Sequence, residues 1–256
     1  MTTSRSILTR KNNVFSQNGE DGIIEFIFRR IGIDKGTFIE FGAWDGKHLS
    51  NTYNLFLNGW KGIYIETDRN RYTDLLTTFQ EHRDRVDCVN AHVGYTDTDN
   101  LDTLVEKYSD KRNFDLVSID VDGLDYYIFE KMVKYLPTVV CIEVNAGHHP
   151  EYSELIPLNV ASNNVGQSLR VISTLADTKG YFPLCYTGNL FLVKKEYLPL
   201  FNDVVRPLPD IYNEFLAYLG PEGTLHLKKT FIIGKMYNGF LFKNTALEEF
   251  CLANKI

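Results

Sequence analysis

Short apolar runs of strand length alternate with amphipathic stretches of helical spacing along most of this chain. The apolar runs lie at 37–42, 62–66, 86–93, 114–120, 138–144, 181–186 and 189–193. The helical stretches lie at 22–31, 50–58, 70–82, 101–108, 126–136 and 168–179. Strands that alternate with helices predict an α/β fold, a mostly parallel seven-stranded sheet with helices on both faces. The last two runs flank Thr187-Gly188, which predicts an antiparallel hairpin at the edge of the sheet.

Charge and hydropathy narrow the classes of partner. The 256 residues carry a formal net charge of -6 and a pI near 5.6, which disfavours nucleic acid as the main partner. No apolar run reaches the ~18 residues of a membrane span, and residues 1–13 lack the apolar core of a signal peptide. The four cysteines form no CxxC pair, which is typical of buried thiols in a reducing compartment. We therefore expect a cytoplasmic protein without a membrane span.

The first two predicted strands end in acids and glycines. The run EFGAWDG (40–46) closes the first strand, and Glu66 closes the second. Ligands of open α/β sheets bind beyond the carboxyl ends of the strands, and an acid about 20 residues past a glycine turn hydrogen-bonds a ribose in Rossmann-like folds. A plain βα turn and a solvated acid are the alternatives. Together the two strand ends predict a nucleoside site.

Carboxylates, an amide and two imidazoles follow the fourth and fifth predicted strands. These residues are Asp120, Asp122, Glu143, Asn145, His148 and His149. Adjacent parallel strands bring such tips together, and neighbouring carboxylates repel unless a cation or a shared proton compensates. Oxygen ligands suit Mg²⁺, Mn²⁺ or Ca²⁺, and an added imidazole favours Mn²⁺. An acid or a histidine there can instead act as a base, and loop caps, salt bridges and hydrogen bonds to a substrate are the simpler interpretations.

These motifs resemble those of class I S-adenosylmethionine-dependent methyltransferases. The run at 40–46 and Glu66 are similar to the first two motifs of that group. More narrowly, SIDVDG (118–123) and EVN (143–145) resemble the D-x-[ED]-G and E-x-[HN] patterns of the FkbM-like family. The stretches SQNGEDG (16–22) and SNT (50–52) are similar to a branch found with bacterial surface-polysaccharide genes. The resemblance covers roughly 14–195 and implies a Rossmann-like class I methyltransferase fold with S-adenosylmethionine as cofactor.

The resemblance also implies a cofactor contact for each motif residue. The methionine part would be lined by Glu40, Gly42 and Asp45. Glu66 would hold the ribose hydroxyls. The adenine would be bordered by Asn90 and Ala91. The N-terminal segment and the start of the first helix after the glycine turn would add Ser16, Gln17, Ser50 and Asn51.

The activity implied is methyl transfer to a hydroxyl of a sugar or nucleotide-activated sugar, as in capsule or other surface polysaccharide. In one mechanism Asp120, Glu143 and Asn145 bind Mn²⁺ or Mg²⁺, which lowers the pKa of the hydroxyl. In the other mechanism no metal takes part, and in both mechanisms Asp122 or His148 removes the proton from the hydroxyl. An N-methyltransferase or small-metabolite methyltransferase with the same cofactor is one alternative, and a noncatalytic Rossmann-like module that binds a nucleoside or a partner protein is another.

We expect the methyltransferase domain at 1–198, with a cap segment and helix at 1–35. The tail, 199–256, is predicted to be helical and aromatic, with Pro-rich joints and no motif of its own. It is a cap over the site, the surface of a homodimer or both, and the sequence does not choose between them.

Overall fold

A computed structural model describes residues 6–161, 165–230, 236–237, 240–241 and 244–255. Seven strands form one sheet: β1 (Thr37–Phe41), β2 (Lys61–Glu66), β3 (Val86–Asn90), β4 (Leu116–Ile119), β5 (Val139–Glu143), β6 (Tyr181–Tyr186) and β7 (Asn189–Lys194). Their order is β3-β2-β1-β4-β5-β7-β6. β7 runs antiparallel to both β5 and β6, and the other neighbours are parallel. The predicted α/β fold, a mostly parallel seven-stranded sheet with an antiparallel hairpin at its edge, is confirmed.

Helices cover both faces of this sheet. Within the described ranges they are α1 (Glu20–Ile31), α2 (Tyr53–Leu57), α3 (Arg69–Thr78), α4 (Leu101–Tyr108), α5 (Asp125–Lys131), α6 (Leu158–Ala161), α7 (Leu169–Thr178), α8 (Leu208–Thr230) and α9 (Thr245–Asn254). Short 3₁₀ helices lie at Ile7–Arg10 and Lys195–Phe201, and β8 (Met236–Tyr237) pairs with β9 (Phe240–Leu241). α8 bends at Gly220, just before Pro221. None of the helices in the described part of the chain combines the length and the apolar character that crossing a membrane requires.

The two faces of the sheet carry separate cores because successive strand residues point to opposite sides. On one side Ile39 of β1 packs in a cluster that reaches Leu104 of α4 and Phe215 of α8. On the other side Phe38 packs in a cluster with Ile24 and Phe28 of α1, among others. The N-terminal helix α1 therefore lies on one face, while α8 and α9 lie on the other.

Three helices are shorter than the sequence predicts. The stretch at 70–82 ends at Thr78, and in the other two a side chain holds the neighbouring backbone. The stretch at 50–58 becomes helical only at Tyr53, since the Ser50 hydroxyl accepts the amides of Thr52 and Tyr53 at 3.1 and 2.9 Å. The stretch at 126–136 ends at Lys131. The Asp102 carboxylate accepts the amides of residues 133–135 at 2.7 to 3.1 Å, which holds them in a bend outside the helix.

Candidate active site

Two cavities open at the carboxyl ends of the central strands, where open α/β sheets bind ligands. The smaller, of about 210 Å³, lies beyond β1, β2 and β3 and is lined by Phe41, Gly42, Ile65, Glu66, Thr67, Ala91, His92, Val93, Val121 and Leu124. The larger, of about 420 Å³, lies beyond β4, β5 and β7. Three of the predicted cofactor residues, Gly42, Glu66 and Ala91, line the smaller cavity together.

Glu66 is held in place by the backbone around it. Its carboxylate accepts the Trp44 amide at 2.8 Å and the Asp68 amide at 2.7 Å, and its residue is buried. The Asn90 carboxamide donates to the Glu66 carbonyl at 2.7 Å. This ties the ends of β2 and β3 together, so the predicted ribose residue and the predicted adenine residues are neighbours at one strand-end cleft.

Glu40, Ser50 and Asn51 form a buried network behind the cavities. The Glu40 carboxylate accepts the Ser50 hydroxyl at 2.6 Å and the Asn51 amide at 2.9 Å, and it also accepts the Thr52 hydroxyl at 2.5 Å. Burial raises the pKa of Glu40, although these hydrogen bonds lower it. The Asn51 carboxamide donates to the Ser118 hydroxyl at 3.0 Å. The network lines neither cavity, and its contact with Ser118 connects it to the end of β4.

Asp45 also stands outside both cavities. Its carboxylate accepts the Lys47 and His48 amides at 2.9 and 2.7 Å, which shapes the loop that follows β1. This is a turn role of the kind that short acidic side chains commonly take.

The N-terminal segment reaches the larger cavity through Gln17. The preceding Ser16 hydroxyl donates to the buried Asp21 carboxylate at 2.8 Å, and the amides of residues 14–16 donate to the same oxygen. Glu20 accepts the Asn18 amide at 2.6 Å and the Thr187 hydroxyl at 2.8 Å. Gln17 and Asn18 are thereby placed at the cavity wall. Sequence reasoning missed Glu20 and Asp21 as site supports, although they lie inside the SQNGEDG motif.

Four carboxyl groups meet in the larger cavity: Asp120, Asp122, Asp125 and Glu143. Burial, and to a smaller extent the nearby charge of the Asp120 carboxylate, raises the pKa of Glu143 to about 8. Burial, and to a smaller extent the nearby charges of Asp125 and Asp122, raises the pKa of Asp120 to about 7. Glu143 is the less exposed residue of the two, so Glu143 keeps its proton to the higher pH. Near neutral pH this pair holds a proton that isolated carboxyls would lose.

Asp125 is the site acid that the sequence analysis did not identify. It begins α5, and its carboxylate accepts the amides of Val121 and Gly123 at 3.0 and 2.9 Å. Burial raises its pKa to about 6, against the lowering effect of these hydrogen bonds. Its position three residues after Asp122, at the start of a helix, was the signal available. Asp122 itself is exposed, in the left-handed region at φ 54°.

Asn145 and His148 are turned toward the loop after β5. The Asn145 carboxamide oxygen accepts the Gly147 amide at 2.7 Å, and its nitrogen donates to the Val165 carbonyl. Nε2 of His148 lies 3.3 Å from the same carbonyl. Burial lowers the pKa of His148 to about 4, and the ring does not line the larger cavity. The half-buried His149 accepts the Glu151 amide at 3.2 Å.

All three residues of the predicted metal trio, Asp120, Glu143 and Asn145, line the larger cavity. Two carboxyls face the cavity, but both ends of the Asn145 carboxamide are engaged with the loop backbone. In the part of the chain that the structure describes, no group of three or more His, Cys, Asp or Glu side chains is arranged to hold a metal ion. The donor set therefore does not fit the Mn²⁺ or Mg²⁺ site that the strand ends predict.

The tail packs against the same loop. The Tyr212 hydroxyl donates to the Ala146 carbonyl at 2.7 Å, and the Asn244 carboxamide donates to the His148 carbonyl at 3.0 Å and to the Tyr212 oxygen at 2.9 Å. The larger cavity is also lined from this side by Phe215, Leu219 and Leu227. No motif marked these residues, because their place depends on packing between distant parts of the chain.

No known protein family matches the chain, and no curated protein matches it. Similar solved structures include one described as a caffeoyl-CoA O-methyltransferase from Staphylococcus aureus, at a TM-score of 0.48 and 16% identity over 73% of this chain and 87% of that one. One described as an S-adenosyl-L-methionine-dependent methyltransferase from Methanococcus maripaludis has a TM-score of 0.39 and 17% identity, over 67% and 83% of the two chains. A methyltransferase from Geobacter sulfurreducens has a TM-score of 0.43 and 12% identity, over 71% and 81%. These are similarities of fold alone, and the fold itself is established here by the strand order.

Proposed function

We propose that this chain is an S-adenosylmethionine-dependent O-methyltransferase that acts on a sugar hydroxyl, in the manner of the FkbM-like family and with a surface polysaccharide as the end product. The observation that carries the proposal is the contact between two unlike cavities. The smaller cavity combines a glycine turn with an acid at the next strand end. The larger cavity is acidic and meets the smaller one where Gly42 lies against Asp120.

The smaller cavity fits the nucleoside part of the cofactor. Gly42 has φ +70°, and a β-carbon there would lie 3.0 Å from the Asp120 carbonyl, so the bare backbone allows β1 and β4 to approach this closely. The Glu66 carboxylate suits a ribose diol, and Val121 and Leu124 supply apolar walls for a base. When bound, S-adenosylmethionine supplies a methyl group activated by a positive sulfur.

The larger cavity supplies what the acceptor hydroxyl needs. A sugar hydroxyl is a weak nucleophile, so a neighbouring base must take its proton as its oxygen attacks the methyl carbon. A base works best when its pKa is close to the working pH, and Asp120, at about 7, meets that condition. His148 is buried behind the loop with its pKa near 4, so Asp120 takes the place of the predicted His148 in this proposal. Glu143 and Asp122 stand beside it in the cavity.

We also propose that the tail, 199–256, acts as a cap on this cavity. Phe215 and Leu219 of α8 are apolar walls facing the acidic strand ends. Apolar walls keep water from the reacting groups and strengthen electrostatic interactions inside the site. Tyr212 anchors the same helix to the loop after β5.

The decisive experiment titrates S-adenosylhomocysteine into the full chain and measures heat by calorimetry. It then incubates enzyme and S-adenosylmethionine with sugar acceptors, and mass spectrometry scores the gain of one methyl group. We expect saturable binding, and methylation that continues in the presence of EDTA. Absence of binding would contradict the proposed cofactor. Methylation that stops with EDTA and returns with Mn²⁺ would contradict the direct base.

A further inference from the structure

The wall of the larger cavity is rich in hydrogen-bond acceptors. Among its described lining residues there is no lysine, arginine or histidine. Several of its donors are already used within the protein. The Tyr186 hydroxyl donates to the Val144 carbonyl at 2.8 Å, and the Thr187 hydroxyl donates to Glu20 at 2.8 Å. The Asn145 carboxamide donates to the Val165 carbonyl. A ligand that brings hydrogen-bond donors of its own therefore suits this cavity.

Asn189 provides an acceptor that the protein leaves unpaired. Asn189 is only 7% exposed and lines the cavity, and its carboxamide oxygen is buried without a hydrogen-bond partner. A buried acceptor without a partner loses its water and gains nothing in return, which is costly. A ligand that donates a hydrogen bond to this oxygen would remove that cost.

Sheet register places this acceptor beside the acids. Asn189 stands directly opposite Glu143 in the β5–β7 ladder. Ile119 stands opposite Ile142 in the β4–β5 ladder, so the next residue, Asp120, follows at the level of Glu143. Side chains at directly opposite positions are neighbours, about 5 Å apart at their β-carbons. Asp120, Glu143 and Asn189 therefore form a row across three adjacent strand ends, here called the acceptor row.

We propose that the acceptor substrate carries a free amino group next to its reacting hydroxyl, as amino sugars do, and that Glu143 and Asn189 bind its ammonium. This inference rests on the proposed methyltransferase function and names the substrate class of that site. An ammonium supplies three N–H donors and one positive charge. Its positive charge favours release of the proton that Glu143 otherwise holds near neutral pH, so the ammonium pairs with the Glu143 carboxylate and donates to the Asn189 oxygen. This leaves Asp120 at the end of the row for the hydroxyl.

The same geometry argues against an anionic acceptor in this cavity. A phosphate or a carboxylate would meet four carboxyl groups and no cationic side chain among the described lining residues. Like charges brought this close repel strongly where water is scarce. The acceptor row thereby favours a free amino sugar over a sugar phosphate or the diphosphate end of a nucleotide sugar.

Calorimetry on the full chain saturated with S-adenosylhomocysteine tests this. The probes are D-glucosamine, D-galactosamine and D-mannosamine, each compared with its N-acetyl derivative, together with D-glucosamine 6-phosphate. We expect at least one free amine to bind, and its N-acetyl derivative to bind at least about tenfold more weakly, because acetylation removes the charge and two of the three donors. The 6-phosphate should bind more weakly than D-glucosamine.

Two substitutions at one position separate binding from folding. Asn189→Leu removes the acceptor and should weaken binding of the amino sugar by about tenfold or more. Asn189→Asp keeps an acceptor and should retain or tighten that binding. Both should bind S-adenosylhomocysteine as the wild type does. The matched control is Asn70→Leu on the exposed surface of α3, which should change neither affinity.

Three results would overturn the proposal: equal binding of amine and N-acetyl sugars, no binding of any of the sugars by a chain that binds S-adenosylhomocysteine, or amine binding that is lost when S-adenosylhomocysteine is present. The last would place the ammonium in the cofactor's own position. Failure of S-adenosylhomocysteine itself to bind is a different outcome, because it contradicts the proposed function before any acceptor is added.

Discussion

The carbonyl oxygen of Asp120 lies 3.0 Å from the point where a β-carbon on Gly42 would stand. The turn after β1 therefore touches the end of β4 with no side chain between them. Gly42 lines the smaller cavity and Asp120 lines the larger one, so residues of the two cavity walls are in contact at this point. Methyl transfer needs the two substrates in line at such a junction, because the reacting atoms must approach closely along one axis.

Gly42→Ala should therefore weaken S-adenosylhomocysteine binding by at least about tenfold, because the added methyl group enters the junction between the cavities. The substitution should also cost about 1 to 2 kcal/mol of stability, since φ +70° is unfavourable for alanine. Calorimetric titration and thermal unfolding measure the two effects.

Gly180→Ala is the matched control for this strain. Gly180 has φ +83°, and a β-carbon added there would meet nothing within 4 Å, so the variant carries the same backbone penalty in open space. It should lose similar stability and bind the ligand normally. Equal affinities in the two variants would refute a role for Gly42 at the junction.

The fold was predictable because its signals are local. Strand-length apolar runs and helical periodicity survive without knowledge of partners, and parallel topology then gathers Asp120, Asp122 and Glu143 at one edge. The orientation of Asn145 and His148 was not predictable in this way. Both face the Val165 carbonyl, 20 and 17 residues further along the chain. The route of that long loop is decided by tertiary packing, which no periodic pattern records.

Asp120→Asn should lower kcat by about 10² to 10⁴ while leaving the fold and S-adenosylhomocysteine affinity unchanged, because an amide cannot take the hydroxyl proton. Asp122→Asn tests the base predicted from the sequence. Asn tolerates the left-handed conformation at this position, so the variant should fold. We expect a smaller loss of kcat for Asp122→Asn; a larger loss than in Asp120→Asn would assign the proton transfer to Asp122.

The pH profile of kcat/KM distinguishes a carboxyl base from histidine. The base must be deprotonated, and the pKa of Asp120 is raised to about 7. Activity should therefore rise about tenfold per pH unit below neutrality and level off as the pH passes about 8. With His148 as base, whose pKa is lowered to about 4, activity would already be level by pH 5 to 6. A flat profile from pH 5 to pH 8 would thus exclude Asp120.

Glu143 should make the protein less stable as the pH rises. Its pKa in the folded chain, about 8, lies above the ordinary glutamate value of 4.5, so the folded state binds the proton more tightly than the unfolded state. Its contribution to stability is complete below pH ~4.5 and is lost as the pH rises toward about 8. Glu143→Gln removes this dependence. Its Tm relative to wild type should increase between pH 5 and pH 9 by several degrees, corresponding to roughly 1 to 3 kcal/mol.

The control for that pH series is Glu81→Gln, at an exposed position. Its Tm difference from wild type should stay constant across the same range. If the Glu143→Gln difference is equally constant, then Glu143 does not hold a proton in the folded protein at neutral pH.

Tyr212→Phe tests whether the tail shapes the acceptor cavity. The substitution deletes one oxygen that donates to the Ala146 carbonyl at 2.7 Å and accepts from Asn244 at 2.9 Å. The loss should cost about 1 to 3 kcal/mol of stability, because a buried carbonyl is left with less hydrogen bonding. Since Ala146 lines only the larger cavity, KM for the acceptor should rise several-fold while S-adenosylhomocysteine affinity stays the same.

Tyr181→Phe makes the same chemical change at the opposite end of the sheet. The Tyr181 hydroxyl is buried and donates to the Pro137 carbonyl at 2.5 Å, just before β5 begins. This variant should lose comparable stability with KM unchanged, because neither Tyr181 nor Pro137 lines either cavity. A rise in KM for Tyr212→Phe alone would therefore reflect the contact between tail and loop. Equal rises in both variants would instead mean that the tail affects KM only through the overall stability of the protein.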